Sequence, residues 1–358
     1  MRHSPSRRQT SPWADARRRR LLLNALPKTD LHVHLDGSIR PGTILALARE
    51  QGVRLPVRTH LDLKRFISSL TSGVSLPRYL KAFDLTLRVL QEREALERAA
   101  FELAEDAHAE NVRYMEVRYC PALHTRQGLT MDDTVEAVTA GLTRARHRYG
   151  IQTGTIVCGI RHLSPRLSLR LAELAVEHYG RGVVGFDLAG AEKDYPAKAH
   201  RRAFDHVVQN NVNVTVHAGE AFGAESIAQA LHYCGAHRIG HGTRLREDRA
   251  IFDYVNDHRI PLEMCITSNV HTRAVPRAAS HPLRRYLEQG AVVTINTDGR
   301  LIDDVTLTDE YYLAHTVLGL GKEDLARVVL NACEQAFLPE YERVALVARV
   351  QSEMDKLE

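Results

Sequence analysis

An α/β fold of the (β/α)8 TIM-barrel type is what this sequence predicts, and three features predict it. Eight short β-branched, apolar runs follow one another between Lys28 and Thr297, separated by longer stretches of Ala, Leu, Arg and Glu at helical spacing. The runs read as near-continuous apolar segments, as strands covered on both faces must. Histidines and carboxylates stand at the ends of several of them, and in a parallel barrel all strand C-termini meet at one rim.

The elements follow in order. The first strand candidate, "DLHVHL", is followed by about eighty residues before the second. They carry the helical patterns "PGTILALAREQ", "LDLKRFISSL", "SLPRYLKAFDLTLRVL" and "EALERAAFELAEDAHAE". That is too much chain for one crossover, so a helical insertion over the end of strand 1 is predicted. The second strand, "VRYMEVRY", leads into a helix at Met131–Tyr149, and the third, "GTIVCGI", into one at Leu167–Tyr179. The fourth, "VVGFDLA", precedes a helix at Pro196–Asn210, and the fifth, "VNVTVHA", one at Ala224–Cys234. The sixth, "RIGHG", leads to Glu247–Asn256, the seventh, "PLEMCITS", to Pro282–Gln289, and "AVVTINT" is the eighth. Lys322–Glu358 reads as extra C-terminal helices packed outside the barrel.

With 358 residues, 44% hydrophobic and 26% charged, the chain can bury a large single core, and barrels of ~250 residues or more fold as one unit. Residues 1–20 hold seven Arg against one Asp; setting them aside turns the formal charge of +4 into about −2. The organisation is therefore read as a basic, disordered tail over residues 1–24 and a single domain over 25–358. No basic surface remains on the body to bind nucleic acid. No apolar run approaches the ~20 residues of a membrane span, and the N-terminus has no apolar leader, so a cytoplasmic protein without a membrane partner is expected. Five scattered cysteines, never spaced C-x-x-C, indicate reduced thiols rather than disulfides or a thiolate metal site. Nothing in the pattern speaks to oligomeric state.

The first strand carries His32-x-His34, and residues two apart on a strand share a face, as two ligands of one metal require. "VHAGE" adds His217 and Glu220 from strand 5, "IGHG" adds His241 from strand 6, and "NTD" adds Asp298 from strand 8. Imidazoles and carboxylates converging on an open rim describe a catalytic metal site, where a divalent ion activates water while a nearby acid and a histidine handle protons. Two signals compete with this. Glu220 also reads as a first-turn acid of the following helix, and Asp298-Gly299 is among the strongest short hairpin signals.

The ordered stretches "LPKTDLHVHLDGSI", "YMEVRYCP", "GFDLAGAE", "VHAGE", "RIGHGTRL", "SN" in "CITSN", and "TINTD" closely resemble the adenosine deaminase family of the amidohydrolase superfamily, over about residues 26–300. The resemblance implies one Zn2+ held by His32, His34, His217 and Asp298. It implies that Glu220 protonates purine N1, that His241 positions the attacking hydroxide and that Asp298 helps accept its proton. Asp36 would meet the ribose hydroxyls, Gly190 the N3 edge, and Tyr79, Leu80 and Phe83 an apolar lid, with His34 also beside the substrate. The tyrosine and phenylalanine read equally as the buried face of a cap helix. Strand 4 ends without the lysine of two-metal relatives, and "HAE" at His108–Glu110 lacks the P-C-x-x-C of cytidine-deaminase zinc sites.

The implied reaction is hydrolytic deamination of adenosine or 2′-deoxyadenosine at C6, giving the 6-oxo purine and ammonia, with a purine nucleoside as the small-molecule partner. Many family members have a second acid after the metal aspartate, bonded to purine N7; here Gly299 stands there. That departure keeps two alternatives in view: another 6-aminopurine substrate, such as 6-aminodeoxyfutalosine or adenine, and a non-catalytic binding protein on a deaminase barrel.

Overall fold

The computed structural model describes residues 15–357. Among them are eight strands: β1 (Lys28–His34), β2 (Val112–Tyr119), β3 (Gln152–Ile160), β4 (Val183–Ala189), β5 (Asn213–Ala218), β6 (Arg238–His241), β7 (Leu262–Met264) and β8 (Val293–Ile295). Each pairs in parallel with the next in sequence order. Just past β8 the chain returns to β1 through a parallel bridge between Val33 and Asp298. There the Asp298 N–H donates to the His32 carbonyl at 2.8 Å and the His34 N–H to the Asp298 carbonyl at 2.7 Å. The eight runs read as strands are the eight strands of the barrel, in order.

The helix Met131–Tyr149 starts at a reciprocal Thr130/Asp133 cap and stops at Gly150 in the left-handed conformation, φ 72°. The helix read at Pro196–Asn210 is split into a 3-10 turn, Ala197–His200, and a helix, Arg201–Gln209. Between β1 and β2 lie Pro41–Glu50, His60–Thr71, Leu76–Tyr79, Leu80–Ala82 and Phe83–Leu87, the expected insertion, and then Arg93–Ala109, which packs on Met131–Tyr149 in the outer ring. His108, on that last helix, is half-buried and stacked on Tyr149 rather than exposed. Lys322–Glu334 packs across β8 and β1, with Glu340–Asp355 beside it.

Two boundaries need correction. Residues 1–14 of the stretch read as a disordered tail lie outside the described residues, but from Ala16 to Ala25 the chain is a helix capped by Asp15. Leu23 is fully buried, and the buried Lys28 ammonium donates to the carbonyls of Leu23, Asn24 and Leu26 at 2.8, 3.1 and 2.7 Å. A cation on the last carbonyls satisfies groups a helix end leaves unpaired, so the arginine run belongs to an anchored helix. The strand read as "PLEMCITS" ends at Met264, because buried Glu310 accepts the Ile266 and Thr267 N–H groups at 2.6 and 3.0 Å and caps a short helix, Ile266–His271. A helix at Leu307–Thr316 went unread. All five cysteines are buried free thiols, and no helix among the described residues is long and apolar enough to cross a membrane.

Candidate active site

At the C-terminal rim His32, His34, His217 and Asp298 each offer one donor atom, all within 4.8 Å of one another. The His34 and His217 Nε2 atoms are 3.1 Å apart, and Asp298 Oδ1 lies 3.4 Å from His34 Nε2 and 3.7 Å from His32 Nε2. His32 Nε2 is buried without a hydrogen-bond partner. Burial, reinforced by the neighbouring cationic groups, lowers the pKa of His32 and His34 well below the usual value and keeps them neutral.

The other imidazole nitrogens show why the Nε2 lone pairs converge. His32 Nδ1 lies 2.9 Å from Glu263 Oε2, and His217 Nδ1 lies 3.0 Å from Asp187 Oδ2. Carboxylates there hold the protons on Nδ1 and leave Nε2 as the acceptor. Burial alone would raise the Asp187 pKa, but His217 and Arg118 hold it well below the carboxylate range. Arg118, fully buried, donates to Asp187 Oδ2 at 3.0 Å and Glu263 Oε2 at 2.9 Å, and Arg238 donates to Glu263 Oε1 at 2.6 Å. An orphaned imidazole nitrogen among convergent N and O donors, backed by oriented carboxylates, fits a single divalent cation.

Glu220 and His241 flank this cluster. Glu220, 6% exposed, accepts from Thr272 Oγ1 at 2.8 Å, with its other oxygen 3.6 Å from His241 Nε2. Burial and the negative charges of Asp298 and Glu192 raise its pKa well above the ordinary value, which favours the protonated acid. His241 Nδ1 is 3.0 Å from the Asn269 amide, whose oxygen is paired with His281 at 3.1 Å. The loop bearing Glu220 is tied down by Glu192, whose carboxylate accepts the N–H groups of Gly219, Glu220, Ala221 and Phe222 at 2.6, 3.1, 2.5 and 2.9 Å. The first-turn acid of the following helix, Ala224–Cys234, is Glu225, and Glu220 faces the cavity.

That cavity, about 280 Å³, brings together His34, His217, Glu220, His241 and Asp298 below and Leu76, Tyr79, Leu80 and Phe83 of the insertion above. Asp36 and Gly190 line it too. Asp36 is 5% exposed, its Oδ1 has no partner, and burial pushes its pKa up to about 7. Gly190 has φ 93°, and a Cβ there would lie 3.0 Å from Ile160 Cγ2, so only glycine brings the backbone this close. Gly299 is not among the cavity residues. Asp303 is buried against Tyr79 and His271, and Asp304 is exposed and paired with Lys64, so neither extends a side chain to the place a residue-299 acid would take.

Sequence reasoning missed Arg118, Asp187 and Glu263, although charged residues inside strands buried on both faces are themselves a signal of a paired polar network. Ser268, Asn269, Thr272 and Glu192 carry no such signal.

Fold and site define a metal-dependent hydrolase built on a parallel α/β barrel. Residues 27–353 match the family model described as adenosine deaminase, and the chain belongs to that family. It is 41% identical over 338 residues to an adenosine deaminase of Mycobacteroides abscessus, covering 90% of this chain and 93% of that protein. It is 39% identical over 317 residues to a probable adenosine deaminase of Dictyostelium discoideum, covering 88% of this chain but 41% of that longer protein. A solved adenine deaminase from Arthrobacter aurescens superposes with a TM-score of 0.86 at 27% identity, over 92% of this chain and 99% of that one.

Proposed function

We propose that this chain removes the 6-amino group of adenosine and 2′-deoxyadenosine by hydrolysis, using one zinc ion held by His32, His34, His217 and Asp298. The observation that carries this reading is the buried Glu220 carboxyl, whose raised pKa favours its protonated form, in the same cavity as the convergent imidazoles and aspartate. Three imidazoles and one carboxylate suit zinc, which when bound lowers the pKa of a coordinated water towards ~7.

The chain's own groups do the rest. Glu220 gives its proton to ring N1, drawing electrons from C6 and making that carbon electrophilic. His241 and Asp298 orient the attacking water and take its proton, which leaves with the amine as ammonia. Asp36, buried with an unpaired oxygen, accepts from a ribose hydroxyl, and the Gly190 backbone abuts the base. Leu76, Leu80 and Phe83 shut out bulk water and strengthen each polar contact beneath.

The Asp36 acceptor favours a nucleoside over free adenine, the substrate named for the Arthrobacter relative. Ammonia release from adenosine, 2′-deoxyadenosine, adenine and 6-aminodeoxyfutalosine, measured on zinc-loaded protein, tests the assignment. Adenosine should turn over with the highest kcat/KM; no turnover of any 6-aminopurine would sink the enzyme reading and leave a binding protein.

A further inference from the structure

Tyr79 has a hydroxyl that none of these roles uses. It ends the short helix Leu76–Tyr79, is 3% exposed and lines the cavity with Glu220 and Asp298. Its O–H donates to Asp303 Oδ2 at 2.9 Å, and Asp303 Oδ1 is 2.8 Å from His271 Nδ1. The Asp303 N–H in turn donates to the Gly299 carbonyl at 2.8 Å. The insertion, the helix Ile266–His271 and the segment after β8 therefore fix one phenol.

Gly299 lies beside it. A Cβ at 299 would meet the Tyr79 hydroxyl in ordinary contact at 3.5 Å and press on Ile302 Cβ at 3.1 Å. A side chain longer than Cβ at 299 would therefore lie next to the phenol.

With its proton committed to Asp303, the phenolic oxygen has lone pairs to offer; Ser268, its other polar neighbour, gives its own proton to Asp298 Oδ2, which leaves a place for a donor from the ligand. An N9-substituted adenine has one donor group on the base, the 6-amino group; N1, N3 and N7 are acceptors. We propose that the Tyr79 hydroxyl, oriented by Asp303 and His271, accepts a hydrogen bond from the 6-amino group and so favours 6-amino over 6-oxo purines. Tyr79 is then a specificity-determining contact, and Asp303 and His271 are positioning residues. The inference rests on the deaminase reading and names how that site tells substrate from product.

The test uses zinc-loaded full-length protein, Tyr79→Phe, Asp303→Asn and the double variant, with KM and kcat for adenosine and Ki for inosine. Tyr79→Phe should raise the adenosine KM about tenfold, change kcat less, and leave the inosine Ki within about twofold. Asp303→Asn should raise KM by less and add nothing in the double variant, because it acts through the phenol. An unchanged adenosine KM, equal losses for adenosine and inosine, or additive effects would overturn the proposal. If thermal unfolding shows Tyr79→Phe misfolded, Gly299→Asp carries the test: by crowding the phenol it should raise KM, and tighter adenosine binding would refute the assignment. If the parent protein turns over no adenosine, the deaminase reading fails, and equilibrium Kd values for adenosine and inosine on the same variants judge Tyr79 separately.

Discussion

Asp298 and His241 have φ of 62° and 64°, a region where a side chain with a Cβ is strained by about 1–3 kcal/mol. Asp298 is held there by its two backbone bonds to β1 and by Ser268 Oγ, 2.6 Å from Oδ2, which leaves Oδ1 towards the imidazoles. The Asp-Gly signal was thus right about a positive φ at Asp298 and wrong about a hairpin: the turn aims a carboxylate at the imidazoles. At Glu220 the relevant property is its proton. Glu220→Gln should retain zinc, measured by metal analysis, and lose about 10²–10⁴ in kcat, since an amide cannot protonate N1. The sign of the pH effect follows from the raised pKa: the acid is active while protonated, so kcat/KM should fall as pH rises through that raised pKa. A pH–rate profile reads it directly; an alkaline limb unchanged in Glu220→Gln would assign it to another group.

Four N–H groups on one carboxylate make Glu192 the anchor of the β5 loop, and Glu192→Gln should release it, lowering kcat by about tenfold or more while the native far-UV CD spectrum persists. Because the Glu192 charge also raises the Glu220 pKa, the alkaline limb should move to lower pH in the same variant. All eight strands were legible, since a strand buried on both faces leaves a dense apolar record. The convergence of His32, His34, His217 and Asp298 beside Glu220 was legible too, because alternation on β1 and the common rim place them together without knowledge of side-chain packing. The helix Ile266–His271 was not, as its N-terminal cap is Glu310, more than forty residues away. Glu192 and Asp303 were equally hidden: both act through tertiary hydrogen bonds, and neither falls at a spacing that local periodicity can show.

For the molecule as a whole, metal and stability are linked. Convergent Nε2 lone pairs bind an ion only when folded, so zinc at about 100 times its Kd should stabilise the protein by about 2.7 kcal/mol. Calorimetry with chelator and then with zinc measures this, and an unshifted Tm would contradict the site. The N-terminal helix is similarly part of the folded unit: Leu23→Ala, at a fully buried position, should cost about 2–5 kcal/mol in denaturant unfolding. The contact between Asp298 and β1 carries a further consequence. The peptide groups that join the last strand to the first are those of His32, His34 and Asp298 themselves. During synthesis the ring cannot close until Asp298 has left the ribosome, about 260 residues after His34, so a nascent chain holds the three imidazoles of the cluster without their carboxylate until its closing segment arrives. Assembly of the four-residue cluster and completion of the ring are thereby one event in the life of the chain.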